Sequence, residues 1–274
     1  MDRQRVSMIT GCSSGIGRAL AEAFLDAGHH VVATARRPES IKDLAGDRSL
    51  ILPLDVTDGE SIGSAVAEAM GWAGRLDILV NNAGYALVGP VAELDIDDLR
   101  DQLETNFIGV VALIRAVVPH MASQKSGCIV NIGSVSSLLA TPFGGAYSAS
   151  KAALHLLTDA LRPELAPFGI HVVVVRAGGV LTDFPKAAAR GLDRYRDPES
   201  LYRDYVAAME ERAEMSKNLA MTATDFARRV VAKVTAENPP AVIKLGGGAR
   251  IVPVMAMLPK KVLARVLGRK FGLG

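Results

Sequence analysis

The chain's 274 residues suffice for one α/β domain with a substantial core, and an apolar fraction of 49% excludes a disordered or highly charged protein. A net charge of +2, with basic residues scattered and aromatics few and dispersed, argues against a nucleic-acid partner. Two cysteines, Cys12 and Cys128, and five histidines show no ligand or redox spacing, which leaves no metal to assign and reads as buried reduced thiols.

Residues 6–10 read as a first strand, followed by Gly11-Cys12-Ser13-Ser14-Gly15-Ile16-Gly17 and a helix over 18–27 that Gly28 ends. With a second strand at 30–35 this is a βαβ unit. A tight turn and close backbone approach let a pyrophosphate lie at the helix N-terminus, so Gly11, Ser13, Ser14, Gly15, Ile16 and Gly17 are expected to bind a dinucleotide. The second strand runs into Arg36-Arg37 with no acid before Glu39. A carboxylate there would take ribose hydroxyls, whereas arginine accommodates a 2′-phosphate, so Arg36 points to NADP(H) over NAD(H); the alternative is two solvated loop arginines.

A third strand at 50–54 ends in Asp55-Val56, placed to meet adenine unless Asp55 caps the next helix near Ser61. A fourth at 76–80 runs into Asn81-Asn82-Ala83-Gly84, small and carboxamide residues that suit either a backbone lying against ribose or a tight turn. A long helix over 97–121 carries Asn106, an indifferent helix former whose place there calls for a reason. Strands at 128–132 and 170–175 flank a helix that begins near Tyr147, and Pro163 is expected to kink that helix or end it early. A last strand covers 241–245. The expected fold is α/β, a single Rossmann-like doubly wound parallel sheet of about seven strands with helices on both faces, over residues 1–248.

The stretch Tyr147-Ser148-Ala149-Ser150-Lys151 places a phenol and an ammonium on one helix face. A neighbouring cation stabilises a phenolate and lowers its pKa, which makes a proton donor of the tyrosine. Ser134 follows an apolar strand, so its hydroxyl stands at a strand's C-terminal end, where ligands of open parallel sheets gather. A hydroxyl to hold a carbonyl oxygen and a phenol to protonate it make a carbonyl-reducing site, given a hydride source. The plainer reading of the pair alone is a packed tyrosine and a solvated lysine.

Four signatures in order, Thr10-Gly11-x-x-x-Gly15-x-Gly17, Asn81-Asn82-Ala83-Gly84, Ser134 and Tyr147-x-x-x-Lys151, give a chain that resembles the short-chain dehydrogenase/reductase family over about 6–245. The resemblance implies a catalytic tetrad of Asn106, Ser134, Tyr147 and Lys151. Asn106 would hold a water through a local break in its helix, Lys151 would bind nicotinamide ribose and join a proton relay, and Tyr147 would be the acid/base. Ser134 would stabilise the carbonyl or alkoxide oxygen. The same resemblance places Gly178, Val180 and Thr182 at the nicotinamide carboxamide, and Arg36 in the NADP-preferring branch. Where the family usually has Pro-Gly after the sixth strand, this chain has Ala177-Gly178, expected to make the loop less rigid. Homodimers and homotetramers are the family's habit.

A variable substrate-binding lid is expected at about 183–221, where the spacing of Tyr195, Tyr202, Tyr205, Met209 and Met215 suggests a helix with one partly apolar face, for core or for pocket. Phe143 and Phe184 flank the catalytic residues as expected substrate contacts. The extension at 249–274 mixes bulky apolar residues with five basic ones between Ile251 and Phe271. Through 250–271 it would lie on an anionic membrane, cover the pocket mouth or pack on a partner subunit. The N-terminus shows no export signal and no apolar run approaches the ~20 residues of a spanning helix, so a cytoplasmic protein is expected, with membrane association through its tail as the alternative. An apolar lid suggests an apolar ketone, aldehyde or secondary alcohol as substrate. The Thr10–Ser14 loop, the Ala33–Arg37 turn and the tail resemble relatives acting on steroids, retinoids or acyl-dihydroxyacetone phosphate. A cofactor sensor or scaffold without turnover is the alternative function.

Overall fold

The computed structural model describes residues 4–217 and 220–274; the first three residues, and 218–219 in the expected lid, lie outside it. Its elements begin with β1 (Val6–Ile9), α1 (Gly15–Asp26), β2 (His30–Ala35), β3 (Ser49–Pro53), α2 (Gly59–Ala73) and β4 (Ile78–Asn81). There follow α3 (Ile96–Leu103), α4 (Gly109–Gln124), β5 (Gly127–Ser134), α5 (Gly145–Leu165), β6 (Ile170–Ala177) and β7 (Val180–Leu181). The chain continues through α6 (Phe184–Ala188), α7 (Val206–Glu214), β8 (Met221–Thr222), α8 (Ala223–Val234), β9 (Val242–Leu245), α9 (Val252–Met255) and α10 (Lys260–Lys270).

Seven strands form one sheet in the order β3-β2-β1-β4-β5-β6-β9, parallel at every pairing. Winding leaves β1 outward to β3, then returns to β4 on the other side of β1. The connections after β1 and β4 therefore part company, opening a crevice at the strands' C-terminal ends.

Side chains alternate across each strand, which gives the sheet two apolar faces. Ile9, Val31, Ala33, Val80, Val130 and Val175 meet α1 and α8, whose Leu20, Phe24, Phe226 and Val230 are fully buried. Met8, Val32, Leu79, Ile129 and Val172 face the other way onto α2, α4 and α5. Leu113, Val117 and Met121 of α4 are wholly buried there, each worth roughly 1.5–3 kcal/mol against exposure. The helical stretch Ile96–Gln124 is long and apolar enough to cross a membrane by length and composition, contrary to the expectation from the sequence. Here those three side chains pack it against the sheet.

Several boundaries differ from expectation for local reasons. Helix α1 begins at Gly15, within the glycine turn, because Ser14 is already its extended N-cap. Strand β5 runs on to Ser134, paired residue by residue with β6 as far as Ala177. Pro163 does not end α5 at once, because it sits in the last turn, two residues before the helix ends at Leu165. The expected long helix is interrupted by a π turn at Glu104–Ile108, centred on Asn106. Asp58, not Asp55, caps α2 by accepting from the Glu60 N–H.

Candidate active site

The glycine turn is built by close approach. Gly11 has φ +72, and a Cβ on Gly17 would lie 2.3 Å from the Gly11 carbonyl oxygen and 2.4 Å from Asn82 Nδ2. The ends of β1 and β4 are tied to one another at this point. Asn82 Nδ2 donates to the Thr10 carbonyl (2.8 Å), and Thr10 Oγ1 accepts from the Asn82 and Ala83 N–H groups (3.0 and 2.9 Å). Gly11, Ser13, Ser14, Gly15 and Ile16 line the crevice, whereas Gly17 stands behind the turn and serves its packing. Helix α1 has no side-chain cap and no acid in its first turn, so its N-terminal N–H groups are left for an anion at the crevice.

The crevice is a cleft of about 1710 Å3 that also takes in Arg36, Asp55, Val56, Asn82, Ala83, Gly84, Gly178, Val180 and Thr182. All but one of the residues expected at a dinucleotide thus line this one cleft, Gly17 being the exception. Exposed Arg36 forms no ion pair among the described residues, while Arg37 does not line the cleft. Asp55 is held below the usual carboxylate range, first by hydrogen bonds from the Thr57 N–H (3.0 Å) and Oγ1 (2.7 Å), and less by the Arg36 charge. In the loop after β6, Gly178 N–H donates to Leu245 O (2.8 Å), and Gly179 and Gly247 exchange backbone bonds of 2.8 and 2.9 Å, tying it to the end of β9.

Ser134, Tyr147 and Lys151 stand together along the same cleft. Ser134 Oγ accepts from the Ser136 N–H (3.1 Å) and keeps its own proton to donate. Lys151 Nζ donates to the Ile132 carbonyl (2.9 Å) and lies 6.0 Å from the centre of the Tyr147 ring. Burial lowers Lys151 to about 8. The Tyr147 phenol is pushed up rather than down, contrary to the expectation from its neighbours. Burial outweighs the opposing pull of the Ser134 hydroxyl and the Arg212 charge, so the phenol holds its proton at neutral pH. Asn106 is fully buried beneath them. Its Nδ2 donates to Tyr85 O (2.8 Å) and Ser150 Oγ (3.1 Å), and its Oδ1 accepts from Tyr85 N–H (3.1 Å). Only the π turn brings the carboxamide to both.

Phe184 lines the cleft with its ring 5.8 Å from that of Tyr147. Phe143 does not line it. At φ +61 its ring lies edge-on to Tyr202 and Phe271, in the apolar cluster that also packs Tyr147 and Phe184 from behind the cleft. The region after β7 is a set of short helical pieces rather than one amphipathic helix, and Tyr195 and Met209 are buried in that cluster. The C-terminal extension lines the cleft through Val252, Met255, Val266, Leu267 and Lys270, and anchors itself by burying Phe271. The cleft is therefore covered by the tail, one of the three dispositions the sequence left open. Both cysteines are free and buried, each pushed up to about 12 by burial.

His155 is a residue of this neighbourhood that the sequence did not single out, although it lies one turn beyond Lys151. Ser137 Oγ donates to the Ser134 carbonyl (2.7 Å), so it accepts from His155 Nδ1–H (2.8 Å). Nε2 is left buried without a partner, 2.1 Å from where a Cβ of residue 133 would stand. Burial, with the Arg176 and Lys151 charges, lowers His155 to about 4. Between that value and ~6.5 the unfolded chain binds a proton that the native chain refuses. Stability is thus fully present above ~6.5 and is lost as pH falls toward 4, on the order of 2 kcal/mol between pH 7 and pH 5. Urea midpoints at both pH values should show His155→Gln with a smaller pH difference than the wild type; equal differences would contradict this assignment.

A crevice at this edge of a doubly wound parallel sheet is where such folds bind dinucleotides, and the Ser134–Tyr147–Lys151 cluster beside it suits proton transfer. Comparison with known proteins agrees. Residues 5–192 match the family model of the short chain dehydrogenases. A short-chain dehydrogenase of Penicillium crustosum is 41% identical over 239 residues, 85% of each chain. The NADPH-dependent 1-acyldihydroxyacetone phosphate reductase of Schizosaccharomyces pombe is 38% identical over 208 residues, 75% of this chain and 70% of that one. Among solved structures, a short-chain dehydrogenase from Streptomyces avermitilis superposes with a TM-score of 0.82 at 34% identity, covering 99% of this chain and 98% of its own. Several related structures hold a nicotinamide cofactor. One from Burkholderia phymatum holds NAD (TM-score 0.81, 25% identity, 97% of each chain). One from Burkholderia cenocepacia holds NADP (TM-score 0.74, 26% identity, 97% and 99%). The chain belongs to the short-chain dehydrogenase/reductase family, whose members act on CH–OH and C=O groups with a nicotinamide cofactor.

Proposed function

We propose that this protein is an NADPH-dependent carbonyl reductase for a lipophilic ketone or aldehyde. The observation that carries the reading is the convergence of Ser134, Tyr147 and Lys151 with the glycine turn along one cleft. When bound, the nicotinamide cofactor supplies the hydride. Ser134 Oγ–H donates to the substrate's carbonyl oxygen, and Tyr147 Oη–H delivers the proton that turns the developing alkoxide into an alcohol. The phenol carries its proton at neutral pH and so is available as the acid, while burial opposes its ionisation. Lys151, with its pKa near 8, places an exchangeable proton beside the phenol at working pH. Asn106 holds the backbone at Tyr85 and the side chain of Ser150, fixing the floor of the site.

Two observations favour an apolar substrate. Leu139, Phe184, Met215, Met255, Val266 and Leu267 line the cleft. The fission-yeast relative reduces, by its name, an acylated ketone. NADPH consumption is to be followed, with NADH in parallel, against a ketosteroid, retinaldehyde, an acyl-dihydroxyacetone phosphate, a β-ketoacyl thioester and a small aromatic ketone. Turnover of a bulky apolar member is the expected result. Turnover confined to the small ketone would overturn the apolar reading, and silence in protein that binds NADPH would favour the sensor.

Cofactor preference rests on Arg36, an unpaired cation at the end of β2. A charge-assisted hydrogen bond to a phosphate is worth roughly 1.5–3 kcal/mol, so Arg36→Ala should raise the KM for NADPH at least about tenfold and leave that for NADH nearly unchanged. Equal change in both would contradict the assignment.

Residues 251–270 support a second reading, membrane contact. Ile251, Val254, Met257, Val262 and Val266 are exposed beside Lys260, Lys261, Arg265 and Arg269, a combination that suits an anionic lipid surface. Sedimentation with phosphatidylglycerol vesicles, but not with phosphatidylcholine ones, is the expected outcome. Analytical ultracentrifugation of the protein without lipid distinguishes the expected homodimer or homotetramer from a monomer.

A further inference from the structure

Arg212 lies on α7, inside the lid, and its side chain lines the cleft. Three other cleft-lining cations have carboxylate partners: Lys186 with Asp183, Arg194 with Asp98 and Lys270 with Glu211. Among the described residues Arg212 has none. Nε donates to the Thr141 hydroxyl, and the guanidinium rests on Gly144, where a Cβ would lie 2.6 Å from both Nε and Nη2. Gly144 is the N-cap residue of α5, three positions before Tyr147, so the cation is held at the positive end of a 21-residue helix. Burial lowers the Arg212 pKa, and the phenol of Tyr147 is the sole charge partner that opposes this. A partly desolvated cation at a helix N-terminus is placed against its own electrostatics, and a ligand anion is what would offset both costs. Among the described residues Arg212 Nη1 and Nη2 have no hydrogen-bond partner, and Arg212 lines the cleft. Those N–H groups form the fork that fits two oxygens of one anionic group.

We infer that Arg212 is a specificity residue that binds an anionic oxygen group, carboxylate or phosphate monoester, carried by the apolar carbonyl substrate. This deepens the proposed function and rests on it for the identity of the reacting carbonyl, but the anion site itself is measurable without turnover. Gly144 is part of the same device, since any side chain there would displace the guanidinium. Arg212 and Tyr147 line the same cleft, and the guanidinium rests on Gly144, three residues before Tyr147, so an anion bound at Arg212 holds the substrate on the proton donor's side of the cleft.

The test is calorimetric titration of the NADP+-loaded protein with decanoate, decyl phosphate and decanol, three probes with the same chain. The wild type is expected to bind one or both anions at least about tenfold more tightly than decanol, the size of one charge-assisted hydrogen-bonded contact. Preference for decanoate or for decyl phosphate identifies which anion the site takes. Arg212→Met should abolish the difference and still bind decanol, which shows the cleft intact, and Arg212→Lys should retain part of it. Equal affinity for all three probes in the wild type, or a preference that survives Arg212→Met, would overturn the inference. So would loss of decanol binding in both variants, because that marks a structural arginine. If the anion preference holds while no carbonyl compound is turned over, the reductase reading fails and the anion site stands.

Discussion

The substitution Tyr147→Phe is expected to lower kcat/KM for carbonyl reduction about a thousandfold while leaving NADPH affinity within about twofold of the wild type. A positioned general acid contributes roughly 10²–10⁴ to the rate, and a thousandfold loss is about 4 kcal/mol of transition-state stabilisation. Tyr147 is the group placed to supply it, being buried in the cleft with Ser134 and with its proton held by desolvation. The ring is kept by phenylalanine, so its contact with Phe184 and the seat of Lys151 on Ile132 O are preserved. Steady-state rates alongside a fluorescence titration with NADPH separate the outcomes. Loss of binding together with rate would show a structural phenol, and an unchanged rate would place the proton donor elsewhere.

Gly17→Ala is the second large effect, and it acts through packing. The added methyl would fall 2.3 Å from the Gly11 carbonyl oxygen, a backbone atom that cannot swing aside as a side-chain tip could. Relief requires α1 to move off the sheet or the turn to open, and overpacking of this kind costs roughly 1–3 kcal/mol. A fall in Tm of about 5 °C and at least about tenfold weaker NADPH binding are expected, because the displaced turn carries the uncapped N–H groups of α1. Gly63→Ala is the control. Gly63 is exposed within α2 with nothing within 4 Å of an added Cβ, so the change should be neutral or stabilising by up to about 1 kcal/mol. A Gly17→Ala protein with unaltered Tm and NADPH affinity would mean that the close approach does not constrain the turn.

What could be read from residues alone was whatever depends on local spacing. Strand centres, the glycine turn, Arg36 and the Tyr147–Lys151 pair are set by neighbours within a few positions, and each lies where its pattern places it. Quantities that depend on distant chain were not legible. Phe143 resembled a substrate contact by its nearness in sequence to Tyr147, but a left-handed backbone turns it toward Phe271, which arrives from the tail. The tyrosines and methionines of the lid had helical spacing, yet Gly191, at φ +81, and the pieces after it break the region into short turns. The direction of the Tyr147 shift was misread because spacing shows the cation and conceals the burial that outweighs it. Arg212 sits in Glu210-Glu211-Arg212-Ala213-Glu214, which reads as the solvated face of a surface helix. Only the fold shows the guanidinium turned inward onto Gly144 and away from those acids.

The central claim is transfer of hydride from NADPH to a carbonyl carbon in this cleft, with the proton coming from Tyr147. The most direct test supplies NADPH deuterated at the transferable position of the nicotinamide, together with whichever ketone of the panel is consumed, and analyses the alcohol by mass spectrometry and NMR. The account predicts one deuterium on the carbinol carbon in product made by the wild type, and no labelled alcohol above background from Tyr147→Phe. Oxidation of the cofactor with no deuterium at that carbon would contradict it, as would labelled alcohol formed equally fast by the variant.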